Sequence, residues 1–522
     1  MIAHATEAYD VIVVGAGSAG CVVVERLSAD GSRRVLLLES GPTPLAESEF
    51  PPELLDAGTV RGAVPDGPYS WTFPSLLTSG RPYEIVRGRI LGGSSTTNGG
   101  YFIRPRRADL DTWARLGGER WSAAATLGEL IALEDDLDAP HLAHVAKGIH
   151  GRSGPIPVRR TDLHHPASVL FGAAAGELGF PADPDKNADQ PPGFGPVPCN
   201  VSRGVRRNAG ISFILPALDR PNLTVRGDST VTRVIFARER TVGVEVRGAG
   251  TSGSVAPDVV RAPLVVLCAG AVKSAQLLML SGIGAEQTLS ALGVPVVVDA
   301  PRVGRAFGDH PQIAIEWRPR NPSPAPPGGW LGGALHTDDV EVLGTLKPMA
   351  ALIDAEHLRD ESPLALMASV MTPSNHGVVT LTSADSAVPP RLDYHYLASG
   401  EDRRRMRDAV RLCVDLLRTR AWSEGSTGDT APVPRTLADD DLLDDWIHEH
   451  LGTSLHTCGT IPFGGGDAPV DGLGRVRGVE GLVVADTSIL PTAPTRGPAV
   501  AALLVGAVIG RALAQQSDGV SR

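Results

Sequence analysis

At 522 residues the chain exceeds one ordinary hydrophobic core, so two or more domains are expected. Its 59 acidic against 48 basic residues leave a formal net charge of −11, which argues against a nucleic-acid partner, since that would need a basic face. Hydrophobic residues at 42% with a mean hydropathy near zero indicate a soluble globular protein, and the five scattered cysteines (21, 199, 268, 413, 458) form no CxxC pair or disulfide framework.

The first ten residues, "MIAHATEAYD", include acids and lead into no apolar run, so no signal peptide is expected and a reducing cytoplasm is the simplest setting. "YDVIVVGAGSAGCVVVERLSADGSRRVLLLESG" (9–41) follows. Val11 to Val14 are a β-branched run that suits a buried parallel strand. Gly15, Gly17 and Gly20 then fall at G-x-G-x-x-G spacing, a helical stretch opens, and a second strand, "RVLLLE", ends in Glu39. In this context Gly15 permits a tight turn, Gly17 lets the backbone approach a pyrophosphate, and Gly20 allows close helix–strand packing. The helix N-terminus faces the phosphates. A carboxylate at Glu39 can accept from ribose hydroxyls and repels a 2′-phosphate, so an ADP-containing cofactor is indicated and NADP is disfavoured.

The glycine pattern does not separate FAD from NAD. "VRGRILGGSSTTNGGYFIRP" (86–105) favours flavin: Gly92 and Gly93 precede four hydroxyl residues, Asn98 and a second glycine pair, as a backbone pressed against a planar ligand requires. A glycine-rich surface loop is the other reading of this stretch. Between 106 and 230 periodicity weakens, with Pro/Gly segments at 150–160 and 189–198. "NLTVRGDSTVTRVIFARERTVGVEV" (222–246) reads as antiparallel strands with polar turns. "APLVVLCAGAVKSAQLLMLSGIG" (262–284) is again strand, glycine turn and helix, and "PRNPSPAPPGG" (319–329) is a loop or lid. Residues 401–422 show helical spacing at Met406, Val410, Cys413 and Leu417, with the arginines on a solvated face. "TSLHTCGTIPFGGG" (453–466) places His456 among small and apolar residues, where it is a base, a metal ligand or a core histidine. Cys458 is its one nearby candidate co-ligand, which makes no metal set. "AVAALLVGAVIG" (499–510) falls short of the ~20 residues a membrane span needs and reads as a buried helix.

Along essentially its whole length the chain resembles the glucose–methanol–choline (GMC) oxidoreductases. The motifs that carry the likeness are the glycine fingerprint, "GRILGGSSTTN" (88–98), "AGAVKSAQLLMLSGIG" (269–284), "GDHP" (308–311) and "VEGLVVADTSILPT" (479–492), in the family's order. Within the family, "HGRSGPIPVRR", "LPALDRPNLTV" and "TRGP" look most like the mycofactocin-associated branch. The resemblance implies an α/β fold: a discontinuous, Rossmann-like FAD-binding domain (1–155, 215–315 and 451–522) and a substrate domain with an antiparallel sheet (156–214 and 316–450). It implies FAD held non-covalently by Gly15, Gly17, Ser18, Ala19, Gly20, Glu39, Ser40, Arg89, Gly92, Gly93, Ser94, Asn98, Gly99, Gly100, Val231, Ala269, Gly270 and Asp486. The adenine end would lie by Glu39 and Val231 and the ring by Gly93 to Gly100. His456 matches the family's active-site histidine, which takes the hydroxyl proton while the flavin takes the hydride.

Three departures from the family stand out. Thr97 sits where some relatives link FAD through a histidine, so that bond is absent. Ala275 replaces a usual Pro or Ser. Where relatives place a second His or Asn, this chain has Gly497, Pro498 and Ala499, and the nearest side-chain donor is Arg496, a second candidate catalytic residue or a clamp on a flavin phosphate or carboxylate. The expectation is an FAD-dependent dehydrogenase of an alcohol or a redox carrier such as reduced mycofactocin. It passes electrons to a carrier or the respiratory chain rather than oxygen, with no transmembrane segment and at most a peripheral membrane contact. The rivals are a GMC-fold lyase or decarboxylase and an FAD-binding protein without catalysis.

Overall fold

The computed structural model describes residues 9–142, 148–248, 257–353, 363–374 and 376–516. The β-branched run becomes β1 (Val11–Val14), followed by helix α1 (Ser18–Ser28) and β2 (Val35–Leu38). Every residue of both strands is buried, which is why they read as continuous apolar runs rather than alternating ones. Three more parallel strands complete the sheet: β3 (Leu223–Arg226), β4 (Leu264–Leu267) and β5 (Leu482–Val484), in the order β3-β2-β1-β4-β5. Residues distant in sequence are thereby brought beside the first glycine turn, with Val11 opposite both Val35 and Leu264.

Two helices seal this sheet. α2 (Gly270–Leu280) follows β4 after a glycine turn, as its sequence indicates, and is buried along nearly its whole length. α3 (Ala499–Gln515) is the apolar C-terminal run, a core helix packed on α1. The contact is close because Gly506 lacks a side chain: a Cβ there would lie 2.5 Å from the carbonyl oxygen of Ala19. No helix among the described residues is long and apolar enough to cross a membrane.

The stretch 222–246 departs from expectation at one strand. Leu223–Arg226 does not pair with its neighbour but joins the parallel sheet beside β2, while Ser229–Ala237 and Arg240–Gly248 form the antiparallel pair. Alternation and turn residues mark a strand; they do not say which sheet it enters.

A larger antiparallel sheet stands opposite. Its order is Ser426–Asp429, Pro311–Pro319, Leu364–Val370, Val340–Thr345, Leu331–His336 and Phe194–Pro196, with Gly452–Thr453 added beside Pro311–Pro319. Helix Gly400–Arg418 covers it with Met406, Val410, Cys413 and Leu417, and turns Arg404 outward to Glu401 and Asp408, the solvated face its spacing indicates. A third sheet joins Arg305–Phe307, Gly377–Thr380 and Arg391–Asp393 to the hairpin Ser70–Thr78 and Arg81–Gly88. Sheet pairing crosses the boundaries drawn near 155 and 315: Glu134–Asp136 pairs with Ile156–Arg160, and Arg305–Phe307 with Gly377–Thr380. Residues 321–330 contain no helix or strand, and all five cysteines are free thiols.

Candidate active site

The first glycine turn fits the roles read from its spacing. Gly15 has φ +99°, and a Cβ there would lie 2.6 Å from the carbonyl oxygen of Cys268. A Cβ on Gly20 would lie 2.0 Å from the carbonyl oxygen of Gly15. Gly17 differs. Its φ is −77°, and a Cβ would meet nothing nearer than 3.8 Å, so the chain itself leaves that space open. No side chain caps the first turn of α1, so the N–H groups at Ser18, Ala19 and Gly20 keep their donors for an anion. An uncapped helix start behind an open glycine is the arrangement a pyrophosphate needs.

Glu39 ends β2 and is 7% exposed. Its Oε2 accepts from the Ala16 amide at 2.9 Å and its Oε1 from the Gly41 amide at 2.9 Å. Burial raises its pKa to about 7 against these hydrogen bonds and nearby Arg89. The second glycine segment docks on the first: the Gly92 amide donates to the Ala16 carbonyl at 2.8 Å, and a Cβ on Gly93 would lie 2.7 Å from the Cα of Gly17. Ser94 accepts from the Gly88 amide, Asn98 from the Gly100 amide, and the Gly99 carbonyl from Trp330. Ser40 and the buried Val231 lie on the same side of the sheet's carboxyl end, around β2 and the strand that follows β3. Arg89 and the Lys273 ammonium both pack on Trp71, at 5.2 Å and 4.2 Å from the ring centre. Asp486 is spent on the protein: it accepts from the Gly270 amide and the Ser274 hydroxyl with one oxygen and from the Ser488 amide with the other. Ser274 in turn accepts from the Ala269 amide, so this carboxylate holds the start of α2.

His456 is half-buried, and Leu455 before it has φ +61°, a left-handed conformation costly to a branched side chain. Asp309 holds this turn, accepting from the His456 amide at 2.7 Å and from the Thr457 hydroxyl at 2.7 Å; Arg87 donates to the same hydroxyl. The imidazole is fixed by a second one. Nδ1 of His456 and Nδ1 of His310 lie 2.9 Å apart. Burial lowers the His310 pKa to about 4, and burial, His310 and Arg87 hold His456 well below the ordinary histidine range. Both rings are thus neutral at pH 7, and one proton must lie between the two Nδ1 atoms. His310 Nε2 is enclosed and has no hydrogen-bond partner among the described residues. With the shared proton on His456, His310 Nδ1 accepts from Nδ1–H and His456 Nε2 keeps its lone pair. A Cβ on Gly497 would lie 3.5 Å from that Nε2.

Arg496 precedes Gly497, is 5% exposed, and makes no hydrogen bond or ion pair to any described residue. Burial lowers its pKa, and the groups that act on it after burial are Tyr101, Glu341, Arg106 and Asp183. Among these the Tyr101 hydroxyl donates to Glu341 Oε2 at 3.3 Å, and His336 Nε2 lies 2.8 Å from the same oxygen. Lys186 donates to Asp183 at 3.1 Å and to the Gly193 carbonyl. Sequence reasoning passed over His310, Asp309, Tyr101, Glu341 and Lys186 as individuals. "GDHP" was a signal for the first two; the others carried none, because strands far apart in the chain bring them together.

Glu134, Asp136 and His150 lie close enough to hold a cation, but this group is an ion-pair network. Arg104 pairs with Glu134 at 2.8 Å, and Arg160 pairs with Asp136 at 2.9 Å and Asp185 at 2.7 Å. Burial would lower the His150 pKa, yet hydrogen bonds to Asp136, Asp185 and Glu134 raise it to about 10, so the network carries its own cations.

Comparison with known proteins agrees along the chain. The family description GMC oxidoreductase matches residues 9–312 with its N-terminal part and 373–506 with its C-terminal part. An uncharacterised GMC-type oxidoreductase of Rhodococcus erythropolis is 37% identical over 508 residues, covering 95% of this chain and 96% of that one. An oxygen-dependent choline dehydrogenase of Photobacterium profundum is 30% identical over 529 residues, covering 93% and 89%. Among solved structures, pyridoxine 4-oxidase from Mesorbium loti superposes with a TM-score of 0.86 at 27% identity, covering 96% of this chain and 98% of that one. Formate oxidase of Aspergillus oryzae superposes with a TM-score of 0.87 at 22% identity over 98% and 99%, a likeness of fold.

Proposed function

Because the chain belongs to the GMC oxidoreductase family, an FAD-binding family of oxidoreductases acting on CH–OH groups, we propose that it oxidises an alcohol with His456 as the base. The observation that carries the reading is the imidazole pair, with the two Nδ1 atoms 2.9 Å apart: the proton carried by His456 Nδ1 has an acceptor in His310, and Nε2 is then free to take one. The residues that would hold FAD are the open Gly17, the uncapped start of α1, Glu39 and the Gly92 to Gly100 segment. Bound there, FAD supplies the hydride acceptor.

The chain's own part is to bind, orient and deprotonate. A hydroxyl seated against Gly497 meets His456 Nε2, and that ring is already neutral across the physiological range. The start of α3, capped by no side chain, lies two residues further on and presents backbone N–H groups to developing negative charge. Those groups stand where Gly497, Pro498 and Ala499 offer no side-chain donor. Asp309 and Arg87 keep the turn from relaxing, so the base stays in place between turnovers.

In its finer form the reading is a dehydrogenase of the mycofactocin-associated branch. Its substrate would be an alcohol or a redox carrier such as reduced mycofactocin, and its electrons would pass to a carrier or the respiratory chain rather than to oxygen. The support is the sequence likeness of "HGRSGPIPVRR", "LPALDRPNLTV" and "TRGP". The test is anaerobic mixing of the yellow enzyme with alcohols and with reduced carrier. His456→Ala should keep FAD and bleach ~10²–10⁴-fold more slowly, the range of a positioned acid–base group. Bleaching at the wild-type rate would make His456 a structural histidine.

A further inference from the structure

We propose that Arg496 is a recognition site for a substrate carboxylate, so that the alcohol this enzyme oxidises also carries an acid group. The inference rests on the alcohol-oxidising reading above and deepens it.

Three described arginines are buried; Nε is unpartnered in all three, and in two of them the terminal nitrogens donate to the protein. Arg104 pairs with Glu134 at 2.8 Å. Arg206 donates to the backbone carbonyls of Leu54, Thr96 and Thr59. Arg496, 5% exposed, spends none of its five N–H donors on a described residue, and its Nε is wholly enclosed without a partner. An unpaired buried guanidinium is strongly unfavourable, and proteins keep one where a ligand completes it.

The anions nearby do not complete it. Asp183 is engaged by Lys186 at 3.1 Å, and Glu341 Oε2 is taken by Tyr101 and His336. Neither carboxylate comes within ion-pair distance of Arg496. No described carboxylate therefore pairs with the guanidinium. A planar fork of donors matches a carboxylate two bonds at a time.

Arg496 adjoins Gly497 in the chain, and a Cβ on Gly497 would lie 3.5 Å from His456 Nε2 and 3.9 Å from Ile103. The guanidinium and the base therefore belong to one part of the site, where a single ligand carrying a carbinol and an acid can meet both.

The test uses the FAD-loaded enzyme, with benzoate and benzamide as binding probes and three alcohols as reductants: 4-(hydroxymethyl)benzoate, its methyl ester and benzyl alcohol. Benzoate should perturb the flavin spectrum of the wild type and benzamide should not. The acid should reduce the flavin with at least ~30-fold higher efficiency than its ester, as loss of one buried charge partner implies. Arg496→Gln should abolish both differences while keeping FAD, and Arg496→Lys, with charge but no fork, should restore them only in part. No benzoate signal in the wild type, with acid and ester equally good, overturns the proposal and leaves alcohol oxidation standing. FAD lost from both variants, with no benzoate signal in the wild type, also overturns it and assigns the arginine to the cofactor. A benzoate signal that depends on Arg496, with no alcohol reducing the flavin, upholds the carboxylate site and sinks the alcohol reading instead.

Discussion

One proton shared between two imidazoles decides whether His456 can act as a base. The Nδ1 atoms of His310 and His456 are 2.9 Å apart, and His310 is held neutral by burial that lowers its pKa to about 4. Removing it does two things: the Nδ1 proton of His456 loses its acceptor, and one of the influences depressing the His456 pKa, after burial itself, disappears. His310→Ala should therefore keep FAD, slow anaerobic reduction ~10–100-fold as an orienting partner does, and change the pH profile. The wild-type rate should be flat from about pH 6 to 8, whereas the variant should lose rate on the acid side as His456 titrates nearer its ordinary value of about 6.5. Superimposable profiles would reduce His310 to packing. The same depression acts on stability. A buried histidine with a lowered folded pKa contributes fully above its unfolded value and loses that contribution as pH falls toward the folded one. Urea unfolding should show stability dropping between about pH 6.5 and 4, and dropping less in the His310 variant.

At the scale of the element, the strand–turn–helix β1–α1 carries two glycine requirements of different origin. A Cβ at Gly20 would strike the Gly15 carbonyl oxygen at 2.0 Å, so Gly20 answers to the chain's own packing. A Cβ at Gly17 would meet nothing closer than 3.8 Å at an ordinary φ of −77°, so Gly17 answers to the ligand. Gly20→Ala should cost the apo-protein ~1–3 kcal/mol in urea unfolding, as overpacking does. Gly17→Leu should leave apo stability near wild type and yield colourless protein, because its side chain occupies the place of the pyrophosphate. Equal destabilisation by both would mean that the turn is shaped by packing alone. α3 obeys the same logic, with Gly506 as the point where two helices touch.

For the molecule as a whole the expectation is an FAD that acts as a structural component held without a covalent bond. Thr97 is 4% exposed and carries no group that could form the histidyl link. Acid precipitation should release all of the FAD into the supernatant. Yellow colour retained in the pellet would show a bond to another residue. Added FAD should also raise the melting temperature by mass action, by about 4 kcal/mol of stability at a thousandfold excess over Kd. The cradle draws on β1, β2, β4 and the segment 88–100, so a ligand there ties together parts of the chain that share few local contacts.

The cofactor frame could be read without coordinates because its signals are local. A β-branched run, glycines two and then three residues apart, a helix and a terminal carboxylate lie within thirty residues, and each has one physical use in that order. The buried C-terminal helix and the solvated arginine face of 400–418 were legible for the same reason, since periodicity reports exposure. What the tertiary structure decided are pairings between remote segments. Local pattern could not send Leu223–Arg226 to the parallel sheet, because strand propensity does not encode a partner. It named His456 but not the imidazole 146 positions earlier that orients it, nor the contrast between Arg206, whose terminal nitrogens reach three backbone carbonyls, and Arg496, which reaches no described residue. Charge balance inside a protein depends on which groups share a desolvated volume, and that volume exists only once the sheets have closed around it.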